Sequence, residues 1–305
     1  EWNELISRYM SYLIYAFDPE SRRFGNYLTY QRTWAKPVAT EDTHARAVWG
    51  LAHVIAYARH SGHRASAAHL MEAATEPIAS FSSTRAWALG ILAIQTYLRV
   101  YPGATMFRKE REMLAHRLFE QYRANAVEDW PWIEDRLTYD NARICQALIE
   151  AGRGLPNEEM AQAGLRSLKW LDELQTAQQG HFVPIGSNGW YVRNGTRARF
   201  DQQPIEASSF LDACLTAFRL TKDEYWLVAA RRAFEWFLGR NDLNLPLYDY
   251  VSGACCDGLH PDRVNQNQGA ESVICWLMSL LAMYEFQEEV DSQRTREKRH
   301  ERENG

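Results

Sequence analysis

The chain has 305 residues, a formal charge of −5 and 46% hydrophobic residues, among them 11 Trp and 15 Tyr. That apolar share excludes a disordered chain, and mild acidity without a basic stripe argues against nucleic acid, whose phosphates need clustered Lys and Arg. No apolar run reaches the roughly 18 residues that cross a bilayer, so neither nucleic acid nor membrane is an expected partner.

Apolar residues recur at helical spacing in ten segments: 2–17, 42–60, 64–80, 83–101, 105–123, 138–151, 156–176, 204–220, 223–238 and 269–286. Strand-like alternation is confined to 180–184 and 190–192. The expectation is an all-α protein.

The first helix gives way to a long loop, 18–41, that carries Trp34 and ends in Thr40-Glu41-Asp42-Thr43-His44-Ala45-Arg46. Thr40 suits an N-cap, and acids suit the first turn of a helix dipole. His44 and Arg46 head a helix that is otherwise apolar, so with Glu41 and Asp42 they are candidate substrate contacts. A turn at His60-Ser61-Gly62-His63 leads to 64–80. A short link, Phe81-Ser82-Ser83, opens 83–101 and reads as simple capping. After Tyr101-Pro102-Gly103 comes the charged segment 105–123.

The loop at 124–137 is the most crowded. Trp130, Trp132 and five acids fall between Glu128 and Asp140. A solvated acidic run does not interleave with Trp. Trp faces stack on the apolar faces of sugar rings, and carboxylates accept hydroxyls or move protons. A Gly and Pro turn at 152–156 separates 138–151 from 156–176. The loop 177–203 then brings Trp190, Tyr191, Asp201, Gln202 and Gln203, with Glu206 in the first turn of 204–220. Gln side chains donate and accept, which suits polyols. A turn at Leu220-Thr221-Lys222-Asp223 precedes 223–238. The last long loop, 239–268, holds Asp257, His260 and Gln268, and Glu271 repeats the placing of Glu206.

Cys255, Cys256 and His260 form the one grouping with zinc-like chemistry. Adjacent cysteines seldom both reach one ion and Cys-x-x-Cys is absent, so no metal is expected. Nor is any cofactor: the chain has no GxGxxG or GxxxxGK[ST] loop. The five cysteines, an odd number, fit buried thiols or a reducing compartment, which makes the cytoplasm the expected location. The stretch 287–305 reads as a charged tail, either a solvated helix extension or disordered.

The connections alternate between short turns and long loops. Helices after the long loops turn apolar on nearly every face, as in Ala45–Ala56, Ala86–Ile94, Ala207–Phe218 and Ser272–Met283. Those after the short turns, such as Lys109–Arg123 and Asn157–Gln175, carry more charge. A helix apolar all round is buried, and one with a charged face lies outside. The expected fold is an α/α toroid of alternating inner and outer helices, with five to six hairpins in a single domain over 1–286. The long loops would gather over the N-termini of the inner helices, at one rim.

Six strings strengthen this reading: T-E-D-T-H-A-R from Thr40, W-P-W-I-E-D-R-L-T-Y-D-N-A-R from Trp130, Gly189-Trp190-Tyr191, F-D-Q-Q-P-I-E-A from Phe200, Asp257-Gly258-Leu259, and N-Q-N-Q-G-A-E-S from Asn265. Together they resemble a bacterial family of glycosyltransferase-associated α/α-toroid proteins and, more widely, the six-hairpin glycosidase-like superfamily. The resemblance implies sugar chemistry in a rim cavity, with a glycosyltransferase as a possible partner. Cys255 and Cys256 depart from the family's usual Gly or Ser.

The leading functional expectation is a glycoside hydrolase or phosphorylase acting on an oligosaccharide or polysaccharide. Such chemistry needs one protonated carboxyl at the leaving oxygen and one carboxylate to activate water. Asp140 and Glu206 are the preferred pair, with Asp201, Glu134 and Asp135 as rivals. Trp130, Trp132, Trp190 and Tyr191 would stack on the sugar. Glu41, Asp42, His44, Arg46, Gln202, Gln203, Asp257, Gln268 and Glu271 would supply hydrogen bonds. Two alternatives stand: a sugar epimerase or isomerase using a rim histidine, for which His44 is the choice because it alone heads an inner helix while His181 and His260 lie in loops, and a non-catalytic saccharide-binding partner of a glycosyltransferase.

Overall fold

The computed structural model describes residues 2–36 and 38–304, without the side chains of residue 36 and residues 290–304. All ten expected helices form: α1 (Trp2–Ala16), α2 (Glu41–Tyr57), α3 (Ser61–Ala74), α4 (Thr84–Val100), α5 (Thr105–Asn125), α6 (Asn141–Gly154), α7 (Glu158–Leu174), α8 (Pro204–Thr221), α9 (Tyr225–Phe237) and α10 (Ala270–Asn304). Several helix ends differ from expectation, while the charged stretch takes the helical of its two expected forms. The third helix stops at Ala74 and continues only as a 3₁₀ turn, Glu76–Ser80, because Pro77 removes a backbone donor and disfavours helix before it. The last helix runs on through the charged stretch to Asn304.

The long loops hold short two-residue and three-residue strands, of which alternation marked only the one at 190–192: β1 (Phe17–Asp18) with β2 (Arg23–Phe24), β3 (Asn26–Leu28) with β4 (Trp34–Lys36), β5 (Arg136–Leu137) with β6 (Tyr191–Val192), and β7 (Gly258–Leu259) with β8 (Val264–Asn265); the segment expected at 180–184 forms only a single bridge, Phe182 to Thr176. Each pair is antiparallel.

The chain forms two compact units, Glu1–Ile133 with Arg143–Leu165, and Glu134–Ala142 with Arg166–Gly305. In the first, α2 packs on α4, and each also packs on the helix that follows it, α3 or the charged α5. Every residue of α4 from Thr84 to Ile94 is buried, as expected of an inner helix. In the second, α8 is buried from Pro204 through Leu211 and packs on α9 and α10. Lys222, in the left-handed region at φ 59°, closes α8.

The expectation that Ser272–Met283, apolar on nearly every face, is a buried inner helix is corrected in part. Trp276 is buried, stacked on Phe234 and Tyr248. Ile274, Leu277, Leu281 and Tyr284, spaced along one face, are 44–59% exposed. Apolar periodicity marks which residues share a face but not whether another element covers it.

Candidate functional site

The second unit holds a cluster built from three long loops. Main-chain pairing ties them together. Arg136 pairs with Val192 and Leu137 with Tyr191, and Arg193 N–H donates to Asp135 O at 2.8 Å. Gln202 pairs with Leu259 by two bonds of 3.1 and 2.9 Å. This last approach is close: a Cβ on Gly258 would lie 2.5 Å from the Gln202 carbonyl oxygen. A glycine is required there by contact with backbone, not by an unusual φ.

These links bring Asp140, Glu206, Asp201 and Tyr191 into one neighbourhood, with His260 on the β7–β8 hairpin. Glu206 lies in the first turn of α8 and is 2% exposed. Its Oε1 accepts the main-chain N–H of Asp140, and its Oε2 accepts Asn141 Nδ2 at 3.3 Å. Asp140 is 1% exposed and sits in the left-handed region at φ 52°. Asn141 closes a turn on Thr138, accepting its N–H at 3.0 Å and donating to its carbonyl at 2.6 Å. That turn is why α6 starts at Asn141 and not at Thr138 as expected. Trp190 and Asp201 also have positive φ, 57° and 58°. A non-glycine residue there is uncommon and costs energy, so the surrounding pairing holds the backbone in place.

Asp201 and His260 form a pair with both side chains 30% exposed. His260 Nδ1 lies 2.5 Å from Asp201 Oδ1. A proton on Nδ1 donated to the carboxylate leaves Nε2 as the basic nitrogen, the arrangement that orients an acid–base histidine. Asp201 is fixed in turn, because its carbonyl accepts Ser187 N–H and Oγ–H, both at 3.0 Å.

The other expected site residues are placed as follows. Gln202 is fully buried and spent internally: its Oε1 accepts Trp236 Nε1 at 2.8 Å, and its Nε2 donates to Asp242 at 2.9 Å and to Arg199 O at 2.9 Å. It is a core hinge and not a sugar contact. Gln203 is the N-cap residue of α8 but makes no side-chain cap bond. Asp257 caps α10, accepting Gly269 N–H and Ser272 Oγ–H, each at 2.7 Å. Burial works to raise its pKa, but the bonds from Ser272, Asn267 and Gly269 bring it below the usual carboxylate range. Gln268 donates to Asp249 at 3.0 Å. Glu271 is exposed in the first turn of α10, Glu134 is half-buried, and Asp135 is exposed and paired with Arg136 at 2.9 Å. Trp190 and Tyr191 are half-buried.

In the first unit, Glu41 accepts the N–H groups of Ser82 and Ser83 at 2.9 and 2.7 Å, capping α4 from the head of α2. Arg46 pairs with Asp42 at 2.8 Å, one helical turn away. His44 is fully buried between Phe24 and Phe81 and bonds Ala74 O at 2.7 Å. This corrects the expectation of a rim histidine. Trp130 is 4% exposed and Trp132 is fully enclosed. A ring with no accessible face cannot stack on a sugar, so Trp132 is core.

The pairing of His260 with Asp201 was missed in sequence, where His260 stood only beside two cysteines and among loop histidines. The spacing of 59 residues carries no local signal. Cys255 and Cys256 are both buried. Burial chiefly pushes the Cys255 thiol up to about 12, which makes it a poor nucleophile or ligand. Among the described residues no group of three His, Cys, Asp or Glu side chains is placed to hold a metal, and no helix is long and apolar enough to cross a membrane.

No protein-family model and no curated protein sequence matches the chain. Solved structures do. Cellobiose 2-epimerase from Bacillus thermoamylovorans B4167 is 11% identical with a TM-score of 0.65, covering 88% of this chain and 78% of that one. A D-mannose isomerase is 10% identical with a TM-score of 0.57, covering 84% and 77%. The GH76A alpha-1,6-mannanase from Salegentibacter sp. HEL1_6 is 10% identical with a TM-score of 0.59, covering 80% and 72%. At such identities the likeness is one of fold. The fold is an all-α, α/α toroid.

Proposed function

We propose that the chain is a carbohydrate-active enzyme, with residues 1–286 acting as one domain, and that it isomerises or epimerises a sugar with His260 as its acid–base group. The observation that carries this reading is the Asp201–His260 pair, 2.5 Å apart and open to solvent. His260 Nε2 would take the proton from the carbon beside the carbonyl of an open-chain sugar, and Asp201 would steady the imidazolium so formed. One base suffices for the carbon proton in aldose–ketose isomerisation, because it returns to the neighbouring carbon on the same face of the enediol while the proton of the O2 hydroxyl passes to O1. Epimerisation needs a second group on the other face. Solved structures of the same fold include a D-mannose isomerase and cellobiose 2-epimerases, which agrees with this chemistry without assigning it.

Glycoside hydrolysis is the second reading. Its support is Asp140, a buried carboxyl held in a left-handed backbone position beside Glu206. Glu206, however, has both oxygens engaged by Asp140 and Asn141, which counts against it as the partner that activates water.

Incubation with a panel of mono- and oligosaccharides in D₂O, followed by NMR, separates the readings. Isomerisation puts deuterium on carbon, and His260→Ala lowers its rate by about 10²–10⁴-fold. New reducing ends without carbon-bound deuterium, lost in Asp140→Asn and kept in His260→Ala, would replace it with hydrolysis. Saccharide binding with no turnover in any arm would leave a non-catalytic binder.

A further inference from the structure

The second unit contains a cavity of about 300 Å³ that neither reading uses, lined by Ala177, Gln178, Gln179, Val183, Arg197 and Arg199. A volume of about 300 Å³ is at the small end for ligand pockets. Four of its six lining residues carry an amide or a guanidinium, and none of the six is acidic.

The charges around it do not balance. Arg197 spends its terminal nitrogens on main-chain carbonyls, those of Leu174, Val183 and, at 3.5 Å, Pro184. Its Nε is buried with no hydrogen-bond acceptor among the described residues. Burial works against its charge, the Asp242 carboxylate partly offsets that, and the Arg199 cation adds to it. Arg199 pairs with Asp242 at 2.8 Å while its side chain stays 59% exposed. The Asp242 carboxylate also takes His181 Nε2 at 2.8 Å and Gln202 Nε2 at 2.9 Å. The carboxylate therefore takes Arg199, His181 and Gln202 directly and reaches Arg197 only through space. A net positive cavity faces solvent, with the exposed Gln178 and Gln179 at its edge.

We propose that this cavity is a subsite for a saccharide bearing an anionic group, a carboxylate or a phosphate ester. Arg199 engages the anion, Arg197 supplies field from behind, and the two glutamines take ring hydroxyls. Guanidinium forks match both oxyanions. The inference shares with the proposed function only that the ligand is a sugar. Binding is measured without turnover, so a dead catalytic assignment leaves it standing.

Calorimetric titration with glucuronate, glucose 6-phosphate, glucose and inorganic phosphate tests it. The expected result is binding of the two anionic sugars and not of glucose, weakened by salt. Arg199→Gln should lower that affinity by about tenfold or more, since Asp242 keeps His181 and Gln202 as partners and the fold is spared. Gln178→Leu with Gln179→Leu, both in an exposed turn, should weaken the anionic sugars. Glucose binding as tightly as glucuronate, unchanged affinity in both variants, or inorganic phosphate matching glucose 6-phosphate would each overturn the proposal.

Discussion

His44 shows how one side chain can carry a site-like motif and a core role at once. In sequence it sits between acids and an arginine. In the fold its ring is enclosed by Phe24 and Phe81. Its pKa is lowered from 6.5 to about 4, chiefly by burial and further by the Arg23 charge, with the bond to Ala74 working the other way. The ring is thus neutral when folded, with Nε2–H donating to Ala74 O. The unfolded chain takes up a proton near 6.5 and the folded one only near 4. This contribution to stability is whole above the unfolded value and is lost as pH falls from 6.5 to about 4. The loss comes to about 3 kcal/mol for a shift of this size. His44→Gln removes the titration. Urea unfolding should show the variant less stable than the parent at pH 7, with the gap narrowing toward pH 4. A gap constant with pH would show that His44 does not titrate this way.

Glu41 makes the same point between helices. An acid at the head of α2 is ordinary dipole complementarity, yet its carboxylate reaches across to the N–H groups of Ser83, the N-cap of α4, and of Ser82 before it. It satisfies donors that no helix can satisfy internally. Glu41→Ala should cost about 1–2 kcal/mol of stability, as losing a capping acceptor does, and leave sugar affinity unchanged. Thermal unfolding beside a binding titration checks both halves, and a variant of parental stability with impaired sugar affinity would return Glu41 to the substrate. The long loops owe their order to similar cross-links. Neither β5 nor β7 has more than two residues, too few for any periodicity. Yet β5 holds Tyr191 beside the loop of Asp140, and the bridge from Gln202 to Leu259 carries His260 to Asp201.

For the molecule as a whole, all five cysteines are free and buried, in agreement with the reading of buried thiols and no disulfide framework. The unfolding midpoint should therefore be the same with and without a reducing agent, while in denaturant all five thiols react with a thiol reagent. A midpoint lowered by reductant would reveal a bridge this arrangement does not contain. The ten helices of the described residues, and the buried type of α4 and α8, were legible in the chain, because a helix face needs only residues three and four apart and the period survives any tertiary context. Glycine, proline and capping residues marked most ends for the same local reason. The acids and aromatics of the loops were legible as a group, but their individual roles were not. Asp140 and Glu206 do come together, whereas Gln202 and Trp132 turn out to be core, and the pairing of Asp201 with His260 spans two loops. Whether a polar side chain faces substrate or satisfies a buried donor depends on what lies opposite it. That is fixed by contacts between residues far apart in the chain, and only the folded arrangement decides it.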